Sequence, residues 1–103
     1  MRFFMCAVEV CVTGIQRYDY SFNQNDTSKQ LVFKRDFKNK FDKNAIKVYL
    51  DDKHIGYIKR DEAQLLSPVM KTNSFYVKKW GVESHTDGYM IVHCILREKS
   101  RQS

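Results

Sequence analysis

Cysteine, proline and acidic side chains are all in short supply in this chain of 103 residues, and each shortage removes a class of protein. The three cysteines, Cys6, Cys11 and Cys94, are odd in number and match no Cys-x-x-Cys spacing. That pattern argues against a disulfide framework and against a zinc knuckle, and it fits reduced, buried thiols in an intracellular protein. A single proline, with 43% hydrophobic residues, leaves one compact domain as the reading, assigned to 1–98 with a polar tail at 99–103. No apolar run approaches the ~20 residues a membrane span needs, and Glu9 interrupts the apolar start, so Met1–Val10 reads as a first strand rather than a signal peptide. The chain has no Gly-x-x-x-x-Gly-Lys-Ser/Thr loop and therefore no ATP-driven motor of that kind. His54, His85 and His93 are scattered, and no nucleophile–base pair or carboxylate cluster is readable. No metal or cofactor is expected, and a non-catalytic role is.

What is plentiful is positive charge. Eighteen Lys and Arg against twelve Asp and Glu give a net +6, and the segment from Lys34 to Arg60 holds nine of the cations with only four acids, a local excess of +5. Such a patch concentrates polyanions and speeds their association, which makes nucleic acid the leading partner class. A merely solvated basic surface is the plain alternative.

Period-two alternation of Phe4, Cys6, Val8, Val10 and Val12 predicts a long first strand, with Gly14 allowing it to end or bend. Gln16 to Gln30 is polar and reads as an exposed loop. Strands follow at Leu31–Arg35, Ala45–Leu50 and Lys53–Ile58, the last two joined as a hairpin through Asp51 and Asp52. Arg60 to Lys71 is helical, with Asp61 and Glu62 at its positive end and Ala63, Leu66 and Met70 at helical spacing. Pro68 is expected at the first position of a second short helix rather than inside a continuous one. Asn73–Val82 and Gly88–Glu98 complete a mainly β chain. About six strands with one or two short helices imply a small OB-like β-barrel, closed to avoid exposed edges, with an SH3-like barrel as the other topology.

Three blocks then occur in order: Leu31-Val32-Phe33-Lys34-Arg35-Asp36; Asn39 through Val48, built on Asp42-Lys43-Asn44-Ala45-Ile46; and Ile55-Gly56-Tyr57-Ile58-Lys59-Arg60 ahead of the helix. Together they resemble the HIRAN domain family over about Val10 to Met70. The resemblance implies a modified OB-like barrel that, in members attached to DNA-repair helicases, captures the free 3′-hydroxyl end of single-stranded DNA. By that resemblance Asp42 accepts from the 3′-hydroxyl, Phe41 stacks on the terminal nucleotide, Arg17 and Tyr18 meet phosphate and base, Tyr57 stands where relatives have histidine, and Tyr89 supplies a further aromatic. Arg60 and Lys59 lie at the helix entrance, a natural anion site. Lys40 replaces a common proline, which removes one source of loop rigidity.

Each of these residues also has a purely structural role available. Asp42 suits an Asx turn, Tyr18 can fold back onto the barrel, Lys59 and Arg60 can be a solvated edge, and Trp80, a second stacking candidate, can belong to the core. Asn39 and Asn44 suit loop capping. The expected partner is single-stranded DNA at its 3′ end, with a helicase or other DNA-processing protein as a further partner, no membrane, and a monomer as the state. The expected location is the nucleus in a eukaryote and the cytoplasm in a prokaryote. A protein-interaction module without DNA-end recognition is the alternative function, and a small nuclease the third.

Overall fold

In the computed structural model, which describes residues 5–99, the alternating segments become six strands and the Ala63–Met70 repeat becomes one helix. The strands are β1 (Met5–Thr13), β2 (Leu31–Arg35), β3 (Ile46–Leu50), β4 (Lys53–Ile58), β5 (Phe75–His85) and β6 (Tyr89–Glu98), and α1 (Arg60–Thr72) lies between β4 and β5. They form one antiparallel sheet in the order β2-β3-β4-β1-β6-β5. The alternation decides which side is wet: Val10, Val12, Ile46, Val48, Leu50, Met90, Val92, Cys94 and Leu96 all turn to one buried cluster. Burial pushes the Cys94 thiol up to about 12, so it packs as a small hydrophobe.

Closure is less complete than the barrel expectation. The edge strands β2 and β5 form no ladder with each other. Gln30 Nε2 reaches Val77 O (3.4 Å) beside the seam, and a cavity of about 240 Å³ lined by Phe33, Leu66, Met70 and Phe75 opens along it. The first four residues and 100–103, which include most of the expected tail, lie outside the described residues.

Two local expectations change. The stretch read as an exposed loop folds into two 3₁₀ helices, Ile15–Tyr18 and Gln24–Ser28, because Ile15 is fully buried and Tyr20 and Phe22 pack against the core. Pro68 sits inside one continuous helix. The carbonyl it leaves without a donor belongs to the exposed Gln64 and reaches water, while Ala63 and Ser67 on the opposite side are fully buried and Arg35 Nε donates to Ser67 Oγ (3.0 Å). Packing therefore holds the helix through a residue that would otherwise end it. In β5, Lys78 and Lys79 are both exposed, since a register shift between Val77 and Lys79 breaks the alternation that would separate them.

Gly56 explains part of the Gly-Tyr-Ile element. A Cβ there would lie 2.7 Å from Thr13 O, 3.0 Å from Val12 Cγ1 and 3.2 Å from Ile15 Cγ2, so β4 can approach β1 only without a side chain. Gly56→Ala is expected to destabilise the protein by about 1–3 kcal/mol through overpacking, read as a lower urea midpoint with an unchanged slope. A neutral effect would show that β1 and β4 can separate freely.

Candidate nucleic-acid interface

The loop between β2 and β3 is built by its short polar side chains. Asn39 Oδ1 accepts from the backbone N–H groups of Phe41 (2.9 Å) and Asp42 (3.0 Å), and Asp42 Oδ1 accepts from Asn44 N (2.9 Å). Asp36 N donates to Ala45 O (2.8 Å) across the neck. Two consecutive Asx-type turns thus shape a loop that has lysine at position 40, and the order a proline would impose comes from hydrogen bonds instead. The second carboxylate oxygen of Asp42 has no hydrogen-bonded donor among the described residues. Its neighbour is Arg60 Nε at 4.0 Å, a pair in which the Arg60 side chain is 72% exposed, too loose to hold either group firmly. Phe41 beside it is 92% exposed, and Phe37 in the same loop is 65% exposed.

Asp36 ties this loop to the sheet. Its Oδ2 accepts from the Tyr57 hydroxyl (3.0 Å) and from Asn39 Nδ2 (3.1 Å), while Lys47 Nζ lies 4.0 Å from Oδ1. Burial, and then the Asp36 carboxylate, push the Tyr57 phenol well above its ordinary range. Tyr57 belongs to a ring cluster on the outer sheet face, 5.1 Å from His54 and 6.2 Å from Tyr18, with Tyr18 and His54 4.2 Å apart. His54 is held below its usual value chiefly by burial, with Lys47 adding to the effect and the Gly56 carbonyl and Asp36 opposing it. It is therefore neutral near pH 7. Register carries the same face across the sheet: Lys34 lies opposite Lys47, Lys47 opposite Tyr57, Tyr57 opposite Thr13, and Thr13 opposite Tyr89.

The helix entrance is anchored from below. Where β4 leaves β1, Lys59 N donates to Cys11 O (2.7 Å) and Glu62 Oε1 accepts from Cys11 N (2.6 Å), so α1 begins at a defined place. Lys59 gives the helix no side-chain cap, so its first turn begins uncapped beside the exposed Lys59 and Arg60.

The HIRAN domain family model matches residues 5–96. The chain belongs to the HIRAN domain family. Two solved structures are similar to this HIRAN domain: the crystal structure of the HIRAN domain of human HLTF (TM-score 0.70) and the NMR structure of the HLTF HIRAN domain in its DNA-bound conformation (TM-score 0.67). Each is 24% identical to this chain and covers 90% of it, with 76% and 75% of the respective solved chains matched. No curated protein matches the sequence.

Within this HIRAN fold, Asp42 and Arg60 lie 4.0 Å apart, the exposed Phe41 is next to Asp42 in the chain, and Tyr18 and Tyr57 share one ring cluster. Tyr89 joins them only through the register of β1 and stands 36% exposed. Arg17 is exposed on the short 3₁₀ helix after Gly14, whose φ of 71° places it in the left-handed region. Trp80 leaves the list: it is 7% exposed and donates from Nε1 to Lys29 O (3.0 Å), which is a core role. Three residues were absent from the sequence-based set. Asp36 is the hub between loop and sheet, and His54 and Tyr49 (5.2 Å apart, stacked) extend the ring cluster. The alternation of Ile46, Val48 and Leu50 already placed Lys47 and Tyr49 on the opposite, wet face, and that was the available signal. Among the described residues no group of three or more His, Cys, Asp or Glu could hold a metal ion, and no helix is long and apolar enough to cross a membrane.

Proposed function

We propose that this HIRAN-family chain is a non-catalytic module that binds single-stranded DNA at its free 3′-hydroxyl end, in repair or replication-fork processing. The observation that carries this reading is one carboxylate oxygen of Asp42 left open. Its partner oxygen is fixed by Asn44, and it lies beside a bare aromatic ring and a solvent-exposed cation. A terminal hydroxyl needs such an acceptor, its base needs a π-face, and the adjoining phosphates need cations. Asp42 takes the hydroxyl, Phe41 the terminal base, and Arg60, Lys59 and Arg17 the phosphates. Tyr18, Tyr57 and Tyr89 line the approach. The Tyr57 hydroxyl gives its one proton to Asp36, so Tyr57 contributes its ring and no hydrogen bond to phosphate. The DNA-bound conformation solved for the HLTF HIRAN domain supports the partner class.

Fluorescence anisotropy with short labelled strands tests the proposal. A 3′-phosphate brings a second anion against Asp42, so binding is expected to fall at least about tenfold relative to the 3′-hydroxyl strand, given that a charge-assisted hydrogen bond contributes roughly 1.5–3 kcal/mol. Three phosphate contacts predict a salt slope of about −2 on logarithmic axes. Equal binding to both ends, or no binding to either, overturns the proposal and leaves a protein-interaction module.

A further inference from the structure

The outer face of β2, β3 and β4 has more cations and rings than one terminal nucleotide needs. Lys34 and Lys47 stand directly opposite each other across β2 and β3, a like-charge pairing that by itself weakens a sheet. Lys34 Nζ sits over the Tyr49 ring at 5.0 Å from its centroid, and Tyr49 lies against His54 at 5.2 Å with 27° between the planes. Tyr49 is two residues from Lys47 along β3, and Lys47 pairs with Tyr57. The Tyr49–His54 pair adjoins Tyr57, whose ring lies 5.1 Å from His54, so the rings form one continuous surface. The carboxylate on this face is Asp36, already engaged by Tyr57, Asn39 and Lys47. Asp51 and Asp52 mark the far end at the hairpin tip.

We infer that the single strand leaving the terminal site runs across this face, with a base on the Tyr49–His54 pair and phosphates on Lys34 and Lys47. This rests on the reading of the end site given above. Three features favour a nucleic acid over an acidic peptide. Rings and cations alternate, the track is continuous with the end site through Tyr57, and an opposed lysine pair gains most from a ligand whose charge repeats at short intervals. His54, flanked by Tyr18 at 4.2 Å and Tyr57 at 5.1 Å, backs the Tyr49 ring for stacking with a base.

The test compares 3′-hydroxyl oligothymidylates of two, four and eight nucleotides by anisotropy, using the wild type, Tyr49→Ala, Tyr49→Phe, Lys34→Glu and Asp42→Asn. Wild type is expected to gain about tenfold in affinity from two to eight nucleotides. Tyr49→Ala and Lys34→Glu should lose most of that gain while binding the dinucleotide as wild type does, and Tyr49→Phe should keep it. Lys34 is exposed, so Lys34→Glu carries the test if Tyr49→Ala fails to fold. A length gain unchanged in Tyr49→Ala and Lys34→Glu overturns the inference, as does displacement of the eight-nucleotide strand by an acidic peptide at equal charge concentration. The two readings fail separately. A wild type indifferent to 3′-hydroxyl and 3′-phosphate defeats the end site, yet a length gain still lost in the track variants would uphold the track.

Discussion

Asp42→Asn is expected to weaken binding of a 3′-hydroxyl strand by roughly 10–100-fold while leaving thermal stability nearly unchanged. In the proposed reading the two carboxylate oxygens do different jobs, and asparagine keeps only one of them. Its amide oxygen can still accept from Asn44 N, preserving the turn now closed at 2.9 Å. Its NH₂ then takes the other position, presenting a donor where the terminal hydroxyl requires an acceptor. The lost pairing with Arg60 matters little, because that contact is 4.0 Å long and Arg60 is largely solvated. Asp42→Ala should show the same loss of binding together with a drop in stability of about 1 kcal/mol from the freed Asn44 amide. Anisotropy and thermal melts on the two variants separate the roles. If Asp42→Asn binds like wild type, Asp42 builds the loop and does nothing more.

The Asx-turn reading of Asp42 describes one of its oxygens, and the proposed acceptor role needs the other, which is why residue type alone could not choose between them. An Asp-x-Asn segment announces an Asx turn through local chemistry, whereas the state of the second oxygen depends on Arg60, 18 positions further along the chain. Asp36 was missed for the same reason. Its partners Tyr57 and Lys47 come from two other strands, and only the β3–β4 register brings them to it. Tyr49 is different, since its outward direction follows from the period-two pattern of β3, whereas His54 shares a face with Tyr57 only because β4 has an extra residue at Ile55. Their meeting depends on a register shift between Val48 and Tyr49 that no periodicity reveals.

The fold was most legible where the alternation is long and uninterrupted. β2 and β4 occupy the expected spans, and β6 buries Met90, Val92, Cys94 and Leu96 as its pattern requires. It was least legible from Gln16 to Gln30, where composition and burial part company. The polar residues there are largely satisfied within the segment, leaving Ile15, Tyr20 and Phe22 to pack inward. Proline statistics misjudged Pro68 because they weigh the lost backbone bond and cannot see Ser67 bonded beneath it.

That same segment carries the second large effect. Asp26→Ala is expected to cost about 3 kcal/mol, lowering the melting temperature on the order of 15 °C. The Asp26 carboxylate is buried at 6% exposure, accepts from Tyr20 Oη (2.7 Å) and Asn23 N (3.1 Å), and lies 3.1 Å from Lys29 Nζ. Removing it strands a half-buried phenol and the N-cap amide of the second 3₁₀ helix. It also loosens Tyr20, which packs against the core. Burial alone would raise the Asp26 pKa, but the Tyr20 hydroxyl, then Lys29 and the Asn23 amide, outweigh it and hold the group below its ordinary value of 3.8. A depressed folded-state pKa means that the stabilisation is fully present above pH ~4 and is lost as pH falls through the lower folded value. Tyr20 closes the other side. Burial and Asp26 push its phenol far above 10, so its contribution is fully present below pH ~10 and is lost only as pH rises through the raised folded value. Asp26→Asn should therefore be less stable than wild type at pH 7 and show a flatter acid limb below pH ~4, and Tyr20→Phe should be strongly non-additive with it in a double-mutant cycle. Urea midpoints measured from pH 7 down to 2 decide the matter. Curves for Asp26→Asn and wild type that run parallel across the acid range would mean that Asp26 is not held ionised by this network, and that its burial is tolerated rather than stabilising.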